Sequence, residues 1–374
     1  MIIGYDAKRA FCNRRGLGNY SRDVLRLMSV YYPEHRYQLY TPRIDAGLYV
    51  PDAVTSEVML PRTFFGRKIP SLWRSYGIAD ELKHRHADIY HGLSQELPVG
   101  IEHTGVRSVV TMHDAIFVRY PELYDPFYRA IFIRKNIRSC RVADRIIAIS
   151  EQTKRDIMEF FDADERKIDV VYQGCNNIFR QPVSGEAIAA VRARYDLPSS
   201  FLLTVGAIEP RKNQQLIIEA MHRSDPGMPL VIIGGATKYL QILQKKLKEY
   251  SLEKQVYILN NVSTADLPAI YRAASCMVYP SIFEGFGIPI LEALCTGTPV
   301  VTSRGSCFEE TGGKAALYTD PADADELADC LQRVLGDSEL RQRMTGEGMR
   351  HSLLFTDQEV SRNLMNVYKR ISSE

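Results

Sequence analysis

Short apolar runs alternate twice along this chain with longer segments of helical period, and that repeat constrains the fold more than any other feature. The first series has strand-like runs at Met1–Tyr5, Tyr37–Tyr40, Asp88–His91, Ser108–Met112, Arg145–Ile149 and Ile168–Tyr172. Helical patterns at Asn19–Tyr31, Leu72–Arg85 and Ser150–Phe161 lie between them. Runs such as Ser108–Met112 and Arg145–Ile149 lack strict polar alternation, as expected of parallel strands covered on both faces. Strand–helix repetition with right-handed crossovers gives a doubly wound α/β sheet.

The alternation breaks at Gly174–Ser200, where Asn176, Asn177, Pro182, Gly185 and Pro198 surround one polar helix. It resumes with strands expected at Phe201–Val205, Leu230–Ile233, Val256–Leu259, Met277–Tyr279, Pro299–Thr302 and Ala316–Tyr318. Helices are expected at Asn213–Arg223, Thr237–Tyr250, Ala265–Ala274, Gly287–Leu294 and Ala322–Leu335. The pattern predicts an α/β protein of two Rossmann-like doubly wound domains facing a cleft. Residues 1–174 form the first, 175–200 a linker and 201–355 the second. An amphipathic helix at 356–374 closes the second domain or crosses back to the first. Ligands of such sheets bind beyond the carboxyl ends of the strands.

Composition narrows the function without naming it. The 374 residues are 45% hydrophobic and 25% charged, which suits a large buried core and excludes disorder as the main state. A formal net charge of +2 argues against a dedicated nucleic-acid binder. Asp6, Lys8 and Arg9 interrupt any apolar signal segment, and no run is long enough to span a membrane. The seven cysteines (12, 140, 175, 276, 295, 307 and 330) form no Cys-x-x-Cys pair. They are expected to be reduced, buried thiols of a cytoplasmic protein.

The densest chemistry lies in Tyr279–Glu292. A strand end leads through a loop with Gly285 and Gly287 to a helix start beside Pro289. Backbone N–H groups at such a start attract phosphate, and glycine permits close approach. Glu284 and Glu292 frame the segment. On one ideal helix they would lie roughly 80° apart, both facing one cleft. Upstream, Arg211 and Lys212 place cations at another helix start, where a bound anion explains them better than the helix dipole does.

Glu284-x7-Glu292, within Glu-Gly-Phe-Gly-Ile-Pro-Ile-Leu-Glu-Ala, resembles the signature of family 4 retaining glycosyltransferases, which have the GT-B fold. Further segments agree in order along nearly the whole chain. They are Gly16-Leu-Gly-Asn-Tyr20, His113-Asp114, Ala143–Ser150, Val171–Gly174, Val205–Asn213, Gly305–Glu310 and the terminal helix. The resemblance implies transfer of a sugar from a nucleotide sugar with retained anomeric configuration. It implies His113 and Glu284 as catalytic residues at the donor sugar, and Glu292 as the ligand of the ribose hydroxyls. It further implies Phe286 and Gly287 as the diphosphate cradle and Lys212 as its counter-charge. Ala207 stands where the family has an arginine, and Arg211 is the candidate substitute. Glu309 matches a family glutamate, although Phe308 replaces the usual proline.

Gly16 and Gly18 do not make a dinucleotide fingerprint. Ser21 stands at the third small position, and the loop lies about ten residues beyond the first strand. The two glycines are instead expected to let the first loop approach the donor phosphate or the acceptor. Asp162-Ala-Asp164 and Asp323-Ala-Asp325 lie at helix ends, not directly after buried strands, so they are expected to be caps and no metal or cofactor is expected. The Glu-Pro-Arg-Lys-Asn wording at 209–213 resembles bacterial mannosyltransferases of surface-polysaccharide assembly. It favours GDP-mannose as donor, with base contacts near Asn260–Val262, and a glycan or lipid-linked acceptor. Phe64, Phe65, Arg67, Lys68, Trp73 and Arg74, with the stretch Phe127–Lys135, mix aromatics and cations; ordinary helix packing with solvated cations is the plainer reading, and peripheral contact with the inner membrane face is the alternative. A sugar-nucleotide epimerase of the same fold and a non-catalytic nucleotide-sugar-binding protein stay open as alternatives.

Overall fold

The computed structural model describes the chain apart from residues 225 and 374 and the side chains of residues 64 and 65. It forms two compact units. One comprises residues 1–173 together with the C-terminal helix Asp357–Ser373, and the other is Gly174–Thr356.

The first unit holds a parallel sheet of β1 (Ile2–Asp6), β2 (Arg36–Tyr40), β3 (Ser56–Met59), β4 (Ile89–Gly92), β5 (Arg107–Met112), β6 (Arg145–Ala148) and β7 (Ile168–Val170). Their order is β3-β2-β1-β4-β5-β6-β7. The second unit holds β8 (Leu202–Val205), β9 (Leu230–Ile233), β10 (Val256–Leu259), β11 (Cys276–Tyr279), β12 (Val300–Ser303) and β13 (Ala316–Thr319), in the order β10-β9-β8-β11-β12-β13. Both sheets reverse direction of growth once, beside β1 and β4 in the first and beside β8 and β11 in the second. Ligands of doubly wound sheets bind outside the carboxyl ends of the strands at that reversal.

The apolar runs become strands because helices cover both faces. Val109, Val110, Ile146 and Ile147 are fully buried in the first sheet, as are Leu230, Val231, Ile232 and Val278 in the second. β3 has no such run. Its Ser-Glu-Val-Met sequence lies at a sheet edge and is mostly accessible, so nothing apolar announces it. Helix starts follow local capping: Ser150 Oγ accepts from Thr153 N at 3.0 Å, and Asp323 Oδ1 accepts from Asp325 N at 2.9 Å.

Two expected elements differ. The helix expected over Leu72–Arg85 contains a wide turn at Trp73–Gly77, with Ile78 N–H reaching Trp73 O. A Cβ on Gly77 would lie 2.5 Å from the Trp73 ring, so the indole packs over a position that only glycine leaves open. The expected linker at 175–200 is built into the second unit. Its helix Gly185–Tyr195 is tied to Asp266 by Arg194 at 2.7 Å and Tyr195 Oη at 2.7 Å. Arg180 donates to the carbonyls of Ser352 and Phe355.

The helix Asp357–Ser373 packs within the first unit. Asp357 Oδ2 accepts from Arg26 at 2.8 Å, Arg370 donates to Asp169 at 2.7 Å, and Tyr368 is fully buried. Among the described residues, no helix is long and apolar enough to cross a membrane.

Candidate active site

In the second unit, Arg211, Lys212 and Glu284 come together at the reversal between β8 and β11. Lys212 follows β8 and Glu284 follows β11. Glu284 Oε1 accepts from Lys212 Nζ at 2.6 Å, Ser281 Oγ at 2.6 Å and Tyr279 Oη at 3.0 Å. Its Oε2 lies 2.5 Å from Arg211 Nη1. Arg211 also donates to the Phe283 carbonyl and to Glu209 Oε1, each at 2.8 Å. The two cations therefore meet two carboxylates, and the cluster is formally balanced. Burial alone would raise the Glu284 carboxyl. The Lys212 and Arg211 charges outweigh it and hold the group down at about 2. Glu284 is ionised at neutral pH.

Backbone stitching explains why these side chains meet. Ile282 N–H and Ser281 Oγ both donate to the Arg211 carbonyl, at 2.8 and 3.0 Å. Asn213, in a left-handed conformation at φ 55°, donates to the carbonyls of Pro280 and Pro321. Ser306 Oγ accepts from Glu284 N–H and donates to the Glu284 carbonyl, fixing the loop from the far side. Arg211 thus supplies a guanidinium beside Lys212 where Ala207 has none. Ala207 contributes only its carbonyl, to Gln214 Nε2 at 3.0 Å.

Glu292 does not share a helix with Glu284. The helix runs Ile288–Thr296 with Gly287 as its cap at φ 86°, and Glu284 stays in the preceding loop. The expected 80° relation therefore does not apply. Glu292 Oε2 accepts from Tyr271 Oη at 2.8 Å. Burial raises its carboxyl to about 7, against the opposing Tyr271 hydrogen bond. Phe286 is buried directly before the cap, and Gly287 caps the helix start. Glu309 is exposed, and its Oε1 accepts from Gly305 N–H at 2.7 Å, a contact within its own loop.

Tyr279, Ser281, Ser306 and Tyr271 complete the site, and sequence reasoning missed them. Only their proximity to Glu284 and Glu292 in sequence could have signalled the first two. Gly206 and Gly234 were also missed. A Cβ on Gly234 would lie 1.8 Å from the Gly206 carbonyl, and Gly206 has φ 149° beside the Lys212 side chain. A Gly-Gly pair directly after an apolar strand was the available signal.

His113 lies in the first unit, one residue beyond β5. It is 6% exposed, and its Nε2 meets the Leu93 carbonyl at 2.8 Å. A carbonyl only accepts, so Nε2 carries the proton and Nδ1 the lone pair. Burial lowers the imidazole to about 4, which leaves it neutral at pH 7. Asp114 Oδ1 accepts from Ile116 N–H and so caps the following turn. Gly16 and Gly18 open the helix Gly16–Tyr31, in place of the expected loop. A Cβ on Gly18 would lie 1.9 Å from the Asn13 carbonyl, whereas nothing lies within 4 Å at Gly16.

The two Asp-x-Asp segments act as helix-end groups. Asp162 ends a helix at φ 51°, Asp164 accepts from Arg166 N–H, and Asp323 caps the helix Ala324–Gly336. Among the described residues, no group of three or more His, Cys, Asp or Glu side chains could hold a metal ion. Six of the seven cysteines are buried and Cys12 is half-buried; all are free thiols.

Comparisons with known proteins identify the family. The family model for glycosyl transferases group 1 matches residues 192–351, and that for glycosyltransferase family 4 matches residues 16–177. The chain is 30% identical over 287 residues to O-antigen chain mannosyltransferase B of Escherichia coli, covering 75% of this chain and 74% of that one. It belongs to the family 4 glycosyltransferases. O-antigen chain mannosyltransferase RfbU of Salmonella typhimurium is 29% identical over 227 residues, 60% of each chain. The HepE protein of Anabaena, solved in complex with UDP and glucose, superposes with a TM-score of 0.78 at 18% identity and covers 99% of both chains. That likeness gives the GT-B fold of a glycosyltransferase whose two units each carry a doubly wound sheet.

Proposed function

We propose that this glycosyltransferase moves a hexose, with mannose favoured, from a nucleoside-diphosphate sugar to a glycan or lipid-linked acceptor with retained anomeric configuration. The observation that carries this reading is the Arg211–Lys212–Glu284 cluster at the sheet reversal, beside the glycine-capped start of Ile288–Thr296. Cations and helix N-terminal N–H groups together stabilise the charge that develops on a departing diphosphate. Lys212 and Arg211 bind and neutralise that diphosphate. Phe286 and Gly287 let it approach the backbone. Glu292 accepts from the ribose hydroxyls and Glu284 faces the donor sugar, while His113 is the catalytic candidate of the first unit. Glu309 orders the neighbouring loop, and Gly16 and Gly18 serve the donor or the acceptor.

The likeness to two O-antigen mannosyltransferases supports GDP-mannose. HepE, by contrast, was solved with UDP and glucose, so the base is the part that needs direct measurement. A thermal-shift screen of nucleotide sugars tests it. GDP-mannose is expected to stabilise the protein most, and stabilisation by UDP sugars alone would reject mannose. Incubation without acceptor separates transfer from epimerisation, because an epimerase needs no acceptor to bring the donor to equilibrium with its epimer.

Peripheral contact with anionic membrane is supported by the helix Pro126–Val142, where Phe127 and Tyr128 are 73% and 64% exposed beside exposed Arg134. Trp73 and Arg74 do not contribute. Trp73 is buried, and Arg74 is ion-paired with Asp6 at 2.6 Å. The side chains of Phe64 and Phe65 lie outside the described residues. Co-sedimentation with acidic vesicles at low salt is the expected result, and no binding there would reject the contact.

A further inference from the structure

The first unit contains a run of buried polar side chains that the donor site does not use. Tyr5 on β1 donates its hydroxyl proton to Tyr368 Oη at 3.2 Å. Tyr368, from the C-terminal helix, lies 2.7 Å from His91 Nδ1 on β4. His91 Nε2 lies 2.8 Å from Thr111 Oγ1 on β5, which lies 3.0 Å from Tyr20 Oη. The Tyr20 ring then meets the His113 imidazole edge-on, with centroids 4.6 Å apart and planes at 90°. None of these groups is more than 9% exposed.

The hydrogen bonds from Tyr5 to Thr111 have one consistent direction. Tyr368 accepts from Tyr5, so its own proton goes to His91 Nδ1. Burial lowers His91 to about 3, so the ring is neutral and donates from the other nitrogen. Its Nε2–H therefore donates to Thr111, and the Thr111 and Tyr20 hydroxyls share the next hydrogen bond. Each link has one donor and one acceptor. Buried polar groups are costly unless satisfied, and apolar side chains of the same volume would pack without that cost. What a satisfied network adds is a single fixed arrangement. Its end point is His113, held between the Leu93 carbonyl on one side and the Tyr20 ring on another.

We propose that Tyr368, His91 and Thr111 are positioning residues for glycosyl transfer, holding His113 through Tyr20 in a single orientation. The proposal rests on the reading of His113 as a site residue. It gives the C-terminal helix a role in the site as well as in the packing of the first unit.

Thr111→Val tests it, because valine keeps the volume and removes both links at once, while Thr111→Ser keeps the hydroxyl. Two readouts apply. One is nucleoside diphosphate release from GDP-mannose and UDP-glucose without acceptor. The other is the ring-nitrogen NMR spectrum of histidine-labelled protein. Thr111→Val is expected to lower kcat at least ten-fold with KM within two-fold, and to shift and broaden the His113 ring-nitrogen signals as the Tyr20 ring loses its fixed position. Thr111→Ser is expected to restore both. Tyr20→Phe, which keeps the ring and loses the hydroxyl, is expected to act like Thr111→Val and serves if valine prevents folding. A folded Thr111→Val or Tyr20→Phe protein with unchanged His113 signals, or with kcat within two-fold of the original, would overturn the proposal. His113→Ala separates the two ideas. If it retains full kcat, the reading of His113 itself fails. If it loses kcat while Thr111→Val does not, only the positioning run fails.

Discussion

Replacing Glu284 with glutamine should loosen the second unit in a way that depends on pH and on anions. The carboxyl is 8% exposed and is held at about 2, against an ordinary value of 4.5. At about 1.4 kcal/mol per pH unit, that difference corresponds to about 3 kcal/mol of stability at pH 7. The sign follows from a depressed folded-state value. The contribution is fully present above pH 4.5 and disappears as pH falls through about 2. At pH 3 it has dropped to between 1 and 2 kcal/mol by the same relation. Removing one partner of a buried ion pair costs a similar amount, roughly 3–5 kcal/mol, because the other charge is stranded. Here the stranded groups are Lys212, left with Tyr279 Oη at 2.6 Å, and Arg211, left with Glu209. Hydrogen exchange is the suitable assay, since the chain's single tryptophan, Trp73, lies in the first unit and its fluorescence reports that unit. Amides of residues 276–296 in Glu284→Gln should exchange about 100-fold faster at pH 7, the equivalent of about 3 kcal/mol. Peptides around Trp73 should be unchanged. Inorganic pyrophosphate should slow exchange more in the variant than in the parent, because it replaces the missing anion. Unchanged protection of 276–296 at pH 7 would refute the claim that this ion cluster holds the loop.

Other consequences can be checked separately. Lys212→Ala and Glu292→Ala should each weaken donor binding or turnover at least ten-fold, as for a lost charge-assisted contact, and unchanged kinetics in both would remove these residues from the site. Because burial raises Glu292 to about 7, calorimetric titration with GDP should show affinity rising with pH up to about 7 and levelling above it. Glu292→Gln should flatten that profile. The same raised value makes unliganded Glu292 stabilising below about pH 4.5, with that contribution lost as pH rises through about 7. Gly18→Ala should destabilise the first unit by about 1–3 kcal/mol in urea, read by Trp73 fluorescence, since its Cβ would meet the Asn13 carbonyl at 1.9 Å. Gly16→Ala, with nothing within 4 Å, should be neutral or stabilise the helix by up to about 1 kcal/mol.

The strands were legible in the sequence because burial on both faces writes itself as an apolar run. Ser56–Met59 was not, because an edge strand needs only one apolar side. The linker misled for a related reason: Pro182, Gly185 and Pro198 mark turns, but turns do not reveal that Arg180 and Arg194 anchor the segment to distant parts of the same unit. At the site, Glu284, Lys212 and Arg211 were identifiable from spacing and resemblance. Their hydroxyl partners were not, since Tyr279, Ser281 and Ser306 look like ordinary strand-end and loop residues until the chain folds. Trp73 and Arg74 looked like a surface patch because the buried carboxylate that neutralises the arginine, Asp6, lies 68 residues away in sequence. The helix geometry assumed for Glu284 and Glu292 failed because the glycine cap at 287 starts the helix one turn later than that assumption required.

A chain that transfers a sugar from a nucleoside-diphosphate donor with retention should also hydrolyse that donor slowly with retention. The most direct test follows GDP-α-mannose with the enzyme and no acceptor by proton NMR, at times shorter than mutarotation. Slow hydrolysis releasing α-mannose first, and lost in Lys212→Ala, is the predicted result. Release of β-mannose first would contradict retention, and equilibration of the intact nucleotide sugar with an epimer would contradict transfer itself.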